Sequence, residues 1–310
     1  MDVSVIIVNY NTKELTKQCV ESIFEKTTGV EFEVIVVDNG STDGSREVFE
    51  GDKRLHYIYS NENLGFGRAN NLGFAQSKGD FLFFLNSDTY LMNNAIYMLW
   101  HNLKNAGWHL ESERIACAGA MLRDAKSNII HSYARFPSVG RTMFLDTLGT
   151  ILWKLHLLKA LPDASNYRSS QQREDVLFFD VDYITGADLM VRRDVAEECG
   201  LFDPAFFMYY EETEMQFRYK QMGIRRVICN GPEIVHLVGQ STRKRSPKSK
   251  TVEMRSKFLY YRKTLSPAGY ILFGITYKLL YLLTRILCFP LVPGESREKI
   301  EHLKAVAKIW

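Results

Sequence analysis

The sequence predicts an α/β fold with a mostly parallel central sheet and a basic, helical C-terminal extension. Three observations carry this. The first hundred residues contain short apolar runs without polar alternation, VSVIIV at Val3–Val8, VIVV at Val34–Val37 and FLFFL at Phe81–Leu85, as strands buried on both faces require. Segments of helical spacing separate these runs, which is the pattern of right-handed βαβ units. Finally, residues 241–263 hold nine Lys/Arg against the single Glu253. That shift in character places a boundary near 245 and divides the chain into 1–245 and 246–310.

Asn11-Thr12-Lys13-Glu14 reads as a capping box opening the first helix, with Leu15, Cys19 and Ile23 as its buried stripe. The second strand stops at Asp38-Asn39-Gly40-Ser41, a turn cluster. Leu55–Tyr59 is a third strand, and Gly79-Asp80 leads into the fourth, which ends at Asn86-Ser87-Asp88. The apolar segment 143–161 predicts helices. A strand over Val181–Ile184 is followed by Thr185-Gly186-Ala187-Asp188 and a helix over Arg193–Cys199 closed by Gly200. From Glu211 a helix runs to Gly223, its acids first and its bases last, matching the macrodipole. Arg226–Cys229 is one more strand, and Pro232–Val235 leads to His236. Ser266-Pro267 starts a helix on which Lys278 and Arg285 share a face amid apolar residues.

Composition excludes several classes. At 310 residues with 46% hydrophobic and 13% aromatic content, the chain can bury a large core, and disorder is excluded. A net charge of +3 is no nucleic-acid signature. Five scattered cysteines, Cys19, Cys117, Cys199, Cys229 and Cys288, form no CxxC pair. They argue against zinc ribbons and disulfide frameworks and for a reducing compartment. The N-terminus has no basic region ahead of its apolar run, so no signal peptide is expected. The apolar stretch near 265–293 is interrupted by Lys278 and Arg285, which argues against a spanning helix.

Polar residues stand wherever a strand stops: Asn9-Tyr10-Asn11, Asp38-Asn39 and Asn86-Ser87-Asp88. In open α/β sheets the carboxyl ends of the strands form the ligand crevice, although Asn, Asp and Ser also favour ordinary turns. Asp38 could accept a ribose hydroxyl or a base N–H, whereas Asp43 reads as a cap. Asn61 to Asn71, with its GxGxxN and Arg68, is a weak dinucleotide fingerprint. It could instead hold a phosphate at a helix entrance, or be a surface turn. Asp88 could bind a hard divalent cation with His236 as a second ligand. Glu211, Glu212 and Glu214 suit a helix first turn, and the aromatic run before them could tune one as a general base.

Together, VSVIIVNYNT, VIVVDNGSTDGS, NENLGFGRANN, FLFFLNSDT, ITGADLMVRRDV, GLFDPAFFMYYEETEMQFR and the His of HLVGQS resemble the family 2 glycosyltransferases, which have the GT-A fold. Bacterial rhamnosyltransferase-like members give the nearest pattern. The matching pieces fall in order from residue 3 to about 241. The resemblance implies an inverting, metal-assisted transfer of one sugar from a nucleoside diphosphate donor to a hydroxyl. Asp38 would bind the base or ribose, with Asn9 and Tyr10 lining the nucleotide pocket and Asn39, Asn63, Arg68 and Asn86 around the donor. Gly186 and Asp188 would lie near the sugar and acceptor. Asp88 would be the last acid of the DxD motif and hold Mg2+ or Mn2+ with His236. Glu212 would be the catalytic base, with Glu211 or Glu214 as the alternatives.

Two positions depart from the pattern. The DxD motif reads Asn86-Ser87-Asp88, and the Glu-Asp motif reads Glu211-Glu212. The QxxRW motif of processive relatives is absent, since Gln240 to Lys244 lacks the Trp; this implies single-sugar addition. A nicotinamide oxidoreductase would need glycines directly after the first strand, where this chain has Asn9-Tyr10-Asn11-Thr12. A non-catalytic sugar-nucleotide or membrane-surface module that keeps the fold is the alternative. The expected partners are a nucleoside diphosphate sugar, dTDP-rhamnose first, and a glycan or lipid-linked acceptor, with no nucleic acid. The basic tail is expected to bind an anionic membrane surface on the cytoplasmic side, or else to fold back or form a homodimer.

Overall fold

The computed structural model describes residues 1–106, 114–154, 176–237 and 247–287, with Ile300, Lys304 and Lys308. In chain order the elements begin with β1 (Val3–Asn9), α1 (Lys13–Lys26), β2 (Phe32–Asp38), α2 (Ser45–Phe49), β3 (Leu55–Tyr59), α3 (Phe66–Gln76) and β4 (Phe81–Asn86). They continue with β5 (Thr89–Leu91), α4 (Ala95–Ala106), β6 (Ile115–Ala120), β7 (Tyr133–Ala134), α5 (Val139–Asp146), α6 (Leu148–Lys154), β8 (Phe178–Asp180) and β9 (Tyr183–Ile184). The last are β10 (Asp188–Arg192), α7 (Arg193–Cys199), α8 (Glu211–Gln221), β11 (Arg225–Cys229), β12 (Ile234–His236), α9 (Pro247–Thr264) and α10 (Pro267–Leu287).

The chain forms two units. The first comprises residues 1–135, 167–207 and 211–243; the second comprises 136–166, 208–210 and 244–310. The units are discontinuous in sequence, residues 136–166 and 208–210 belonging with 244–310.

In the first unit an eight-stranded sheet has the order β3-β2-β1-β4-β10-β6-β11-β8. Strands β1 to β4 pair in parallel, and β10 runs antiparallel to both β4 and β6. Successive residues face opposite layers. Val3, Val5, Ile7, Phe81, Phe83 and Leu85 pack on α1 and α4, through Cys19, Ile23, Ile96 and Leu99. Ile6, Ile35, Val37, Leu82 and Phe84 face α3, α7 and α8, through Ala69, Val195, Met215 and Tyr219. Both faces are covered, which is why these strands read as unbroken apolar runs.

Several local expectations change. The first helix buries Thr16, Cys19, Val20, Ser22 and Ile23, not Leu15. Its first turn receives no capping bond from Thr12; instead the Lys13 N–H donates to Asp43 Oδ2 at 2.9 Å. The 105–180 stretch hides β6, and β10 follows the turn at Gly186. In β6, IACAGA is wholly buried, and small residues are needed there. A Cβ on Gly119 would stand 2.5 Å from Ile184 Cγ2.

The second unit has an aromatic interior. Tyr261 and Phe273 lie with ring centroids 4.3 Å apart, and Phe258, Tyr260 and Tyr277 surround them. Asp146 accepts the Tyr277 hydroxyl at 2.7 Å and pairs with the nearly buried Lys257. The Ser256 hydroxyl donates to the Met208 carbonyl at 2.7 Å. On α10, Phe273, Tyr277, Tyr281 and Thr284 are buried, whereas Ile271, Leu272, Ile275, Leu279 and Leu283 are exposed. The outward face is thus aliphatic. Lys278 is half-buried, and burial lowers its pKa. Among the described residues no helix is long and apolar enough to cross a membrane.

Candidate active site

The parallel register aligns the polar strand ends. Asn9 pairs with Asp38, and Val8 with Asn86, so three clusters distant in sequence share one edge of the sheet. Asn9 is buried. Its Oδ1 lies 2.9 Å from the Thr12 hydroxyl and 2.8 Å from that of Thr16, and its Nδ2 donates to Ser41 Oγ at 3.0 Å. Tyr10 is exposed, and Asn11 adopts φ 53°, its Oδ1 accepting the Thr42 N–H at 2.8 Å.

Asp38 is fully buried. One oxygen accepts the Ser41 N–H at 2.8 Å, and the other accepts the Tyr57 hydroxyl at 2.9 Å. The turn-forming role considered for Asp43 therefore belongs to Asp38 as well. Burial, then the bond to Asp38, pushes the Tyr57 phenol above its ordinary range, so Tyr57 stays a donor. Neither Tyr57 nor Ser41 stood out in the sequence; Tyr57 lies in a neighbouring strand and only pairing brings it near.

Asp88 and His236 meet through the two-stranded pairing of β5 with β12, in which His236 opposes Thr89. His236 Nε2 stands 3.2 Å from Asp88 Oδ1, and the Leu237 N–H donates to the Asp88 carbonyl at 2.8 Å. No group of three or more His, Cys, Asp or Glu that could hold a metal occurs among the described residues. The pair still fits a hard divalent ion of the Mg2+ or Mn2+ kind, which binds through one or two protein ligands and takes the rest from phosphate and water. Asn86 is half-buried, and its backbone N–H is bonded to the Ala187 carbonyl at 3.0 Å.

The loop before α3 is tied to β2. Asn39 Nδ2 donates to Asn63 Oδ1 at 3.0 Å, and Asn39 Oδ1 accepts the Leu64 N–H at 2.8 Å. Arg68 is exposed, and its Nε donates to the Pro204 carbonyl at 2.6 Å. Gly186 lies beside α8: a Cβ there would meet the Phe66 ring at 3.3 Å and Glu212 Cγ at 3.8 Å. Asp188 opens β10 beside Gly186 in sequence. It is wholly buried, one oxygen accepts the Ala120 N–H at 2.6 Å, and the other has no partner among the described residues. Burial raises its pKa well above the usual carboxylate value.

The three glutamates of α8 have different surroundings. Glu214 is nearly buried and pairs with Arg218 at 3.1 Å, whose guanidinium also bonds the carbonyls of Cys199, Gly200 and Leu201. Glu211 is buried, with its Cβ and Cγ beside Gly67. Glu212 is half-buried. Burial pushes its carboxyl up to about 6, against the lowering effect of its own and the Thr213 N–H. Tyr209 and Tyr210, just before the helix, adopt φ 70° and 68°, an uncommon conformation for bulky residues. Gln216, which sequence reasoning missed, anchors α8: its amide donates to the Ile184 carbonyl and accepts the Ile184 N–H, each at 2.8 Å. The signal available was a polar residue one turn after Glu212.

This sheet order, with polar residues gathered at the strand ends, is that of a glycosyltransferase of the GT-A class. The sequence profile described as glycosyl transferase family 2 matches residues 4–200, and the chain belongs to that family. It is similar to the low-salt glycan biosynthesis hexosyltransferase Agl10 of Haloferax volcanii, 27% identical over 263 residues, 83% of this chain and 75% of that protein. It is also similar to the N-acetylglucosaminyl-diphospho-decaprenol L-rhamnosyltransferase of Mycobacterium tuberculosis, 26% identical over 67% of each chain. Among solved structures, the mannosyltransferase PcManGT from Pyrobaculum calidifontis, in complex with GDP-Man and Mn2+, shares the fold. Its TM-score is 0.56 at 13% identity, over 98% of this chain and 85% of that one.

Proposed function

We propose that this glycosyltransferase, whose donors are sugar nucleotides, transfers one sugar with inversion, using Glu212 as the base. The acceptor oxygen forms a bond to the anomeric carbon as the bond from that carbon to the diphosphate oxygen breaks. The acceptor proton passes to Glu212, and the nucleoside diphosphate leaves. The observation that carries this reading is the position of Glu212 in the first turn of α8, half-buried and with its carboxyl at about 6. Such a group is ionised at neutral pH yet weakly solvated, as a base near its working pH should be.

Asp38 and Asn9 hold the nucleoside end and Tyr10 lines that pocket. Asp88 and His236 would hold a divalent ion, which when bound would neutralise charge on the leaving group. dTDP-rhamnose is the donor we infer first and UDP-hexoses next, by likeness to the mycobacterial rhamnosyltransferase. That relative's name points to a lipid-linked saccharide as acceptor. Such an acceptor suits a chain held at the cytoplasmic face of an anionic membrane by its basic 241–263 segment and the aliphatic face of α10.

Glu212→Gln keeps size and removes basicity. With the cognate donor, kcat should fall by about 100-fold or more while donor affinity stays unchanged. Equal activity of Glu212→Gln and the parent would remove Glu212 from the mechanism. Absence of donor turnover by the parent under any metal would favour the non-catalytic module.

A further inference from the structure

The segment from Asn61 to Asn71, a loop that enters α3, is bonded at both ends to other parts of the first unit. Asn63 Oδ1 accepts both the Asn39 side-chain amide at 3.0 Å and the Gly65 N–H at 2.9 Å. Asn39 follows Asp38, and its own N–H is bonded to the Asn9 carbonyl at 2.8 Å. One end of the loop is thereby fastened to the strand ends assigned to the nucleoside.

The other end is fastened to the segment that leads into α8. The Phe66 N–H donates to the Phe207 carbonyl at 2.9 Å. Gly65 sits at φ +84°, and a Cβ on it would lie 2.0 Å from that carbonyl oxygen, closer than any side chain allows. Two positions on, a Cβ on Gly67 would meet Phe202 Cβ at 3.1 Å and Glu211 Cβ at 3.6 Å. Arg68 reaches Pro204 and Asn71 Nδ2 reaches the Phe202 carbonyl, each at 2.6 Å. The start of α3 thus holds the 202–207 segment by three hydrogen bonds, five to ten residues before Glu212.

We propose that Asn63, Gly65 and Arg68 are positioning residues that clamp the approach to α8 onto the donor-side loop, setting Glu212 relative to the bound donor. This rests on the reading of Glu212 as the base. Gly65 has a geometric reason, since only a bare backbone fits against the Phe207 carbonyl. Arg68 has a role that needs no phosphate. The clamp acts on the chemical step, because misplacing a reacting group by about 1 Å can slow a reaction about 100-fold.

The test uses the full chain with its sugar nucleotide, in Asn63→Ala, Asn63→Asp and Arg68→Ala. Calorimetric titration with nucleoside diphosphate gives affinity and the fraction of binding-competent protein. Turnover per competent site is then measured together with the ratio of donor hydrolysis to transfer. Asn63→Ala and Arg68→Ala should bind nucleotide as the parent does, with transfer per site down about 10-fold and the hydrolysis-to-transfer ratio raised. Asn63→Asp retains the acceptor oxygen and should restore most of the transfer. A merely structural defect would lower hydrolysis and transfer in step and leave their ratio unchanged, which would overturn the clamp. Weaker nucleotide binding with unchanged saturated turnover would make Asn63 or Arg68 a donor contact, also against it. Should Asn63→Ala not fold, the exposed Arg68→Ala decides. Parent-level transfer in Glu212→Gln would point to failure of the base assignment, whereas an inactive Glu212→Gln beside a fully active Arg68→Ala would refute the clamp alone.

Discussion

His236 Nε2 lies 3.2 Å from Asp88 Oδ1, the two being joined by the antiparallel pairing of β5 with β12. A carboxylate and an imidazole so placed can share one cation and leave its remaining positions to diphosphate and water. Asp88→Ala should therefore abolish metal-dependent donor turnover with the fold intact by circular dichroism. His236→Ala should raise the metal concentration needed for half-maximal activity. Full activity of Asp88→Ala in chelator-treated buffer would end the metal assignment.

Asp38 makes two bonds inside the protein, to the Ser41 N–H and the Tyr57 hydroxyl, so its removal has two effects. Asp38→Ala should weaken nucleotide binding in the absence of metal, read by calorimetry. It also strands the buried partners and should destabilise the fold by about 1–3 kcal/mol in urea titration. Tyr57→Phe should destabilise less. Nucleotide affinity unchanged in Asp38→Ala would take that residue out of the site.

Glu212 titrates higher in the fold, at about 6, than its ordinary 4.5. Two consequences follow from the sign. The kcat/KM profile should have an acidic limb near pH 6, with activity lost as Glu212 takes up a proton. A raised carboxyl also means that the folded state binds the proton more tightly than the unfolded chain. Stability from this group is thus gained as pH falls from about 6 to 4.5 and is absent above it. Glu212→Gln should accordingly melt above the parent at pH 7.5, by no more than about 2 kcal/mol, and the gap should close toward pH 4.5. A gap constant with pH would contradict the shift.

Asp146 holds together the second unit's interior by pairing with nearly buried Lys257 and accepting from Tyr277. Asp146→Asn leaves an uncompensated ammonium. Loss of one partner of a buried pair costs about 3–5 kcal/mol, and the partial exposure of Asp146 brings the expectation toward the lower end. Chemical denaturation monitored by tyrosine fluorescence reads it, and an unchanged midpoint would refute the argument.

The outward face of α10 presents Leu272 and Leu279 at 68% and 58% exposure, so charges placed there leave the interior untouched. The parent should sediment with anionic vesicles, less so as salt rises. Leu272→Glu with Leu279→Glu should abolish it at unchanged Tm. A parent that ignores vesicles but loses a dimer on this double substitution would make the face a self-association surface.

The sequence by itself determined the βα frame and the family. Short apolar runs bounded by turn residues read as strands covered on both sides, and polar clusters at their ends locate the crevice; Asp38 and Asp88 could be named because each adjoins such an end, and Glu212 because it stands in a helix first turn after an aromatic run. It could not show β6 or β10, because a small-residue strand and an antiparallel insertion lack the periodicity that marks the others. Tertiary structure alone decided which polar residues face which. Pairing of β2 with β3 brings Tyr57 to Asp38, and pairing of β5 with β12 brings His236 to Asp88. It also distinguished like residues by surroundings: Asp188 is sealed in the core, Glu214 is bound by Arg218, and Glu212 is left partly solvated. Burial and partners at a given carboxylate arise from segments far away in the chain, so no local pattern encodes them.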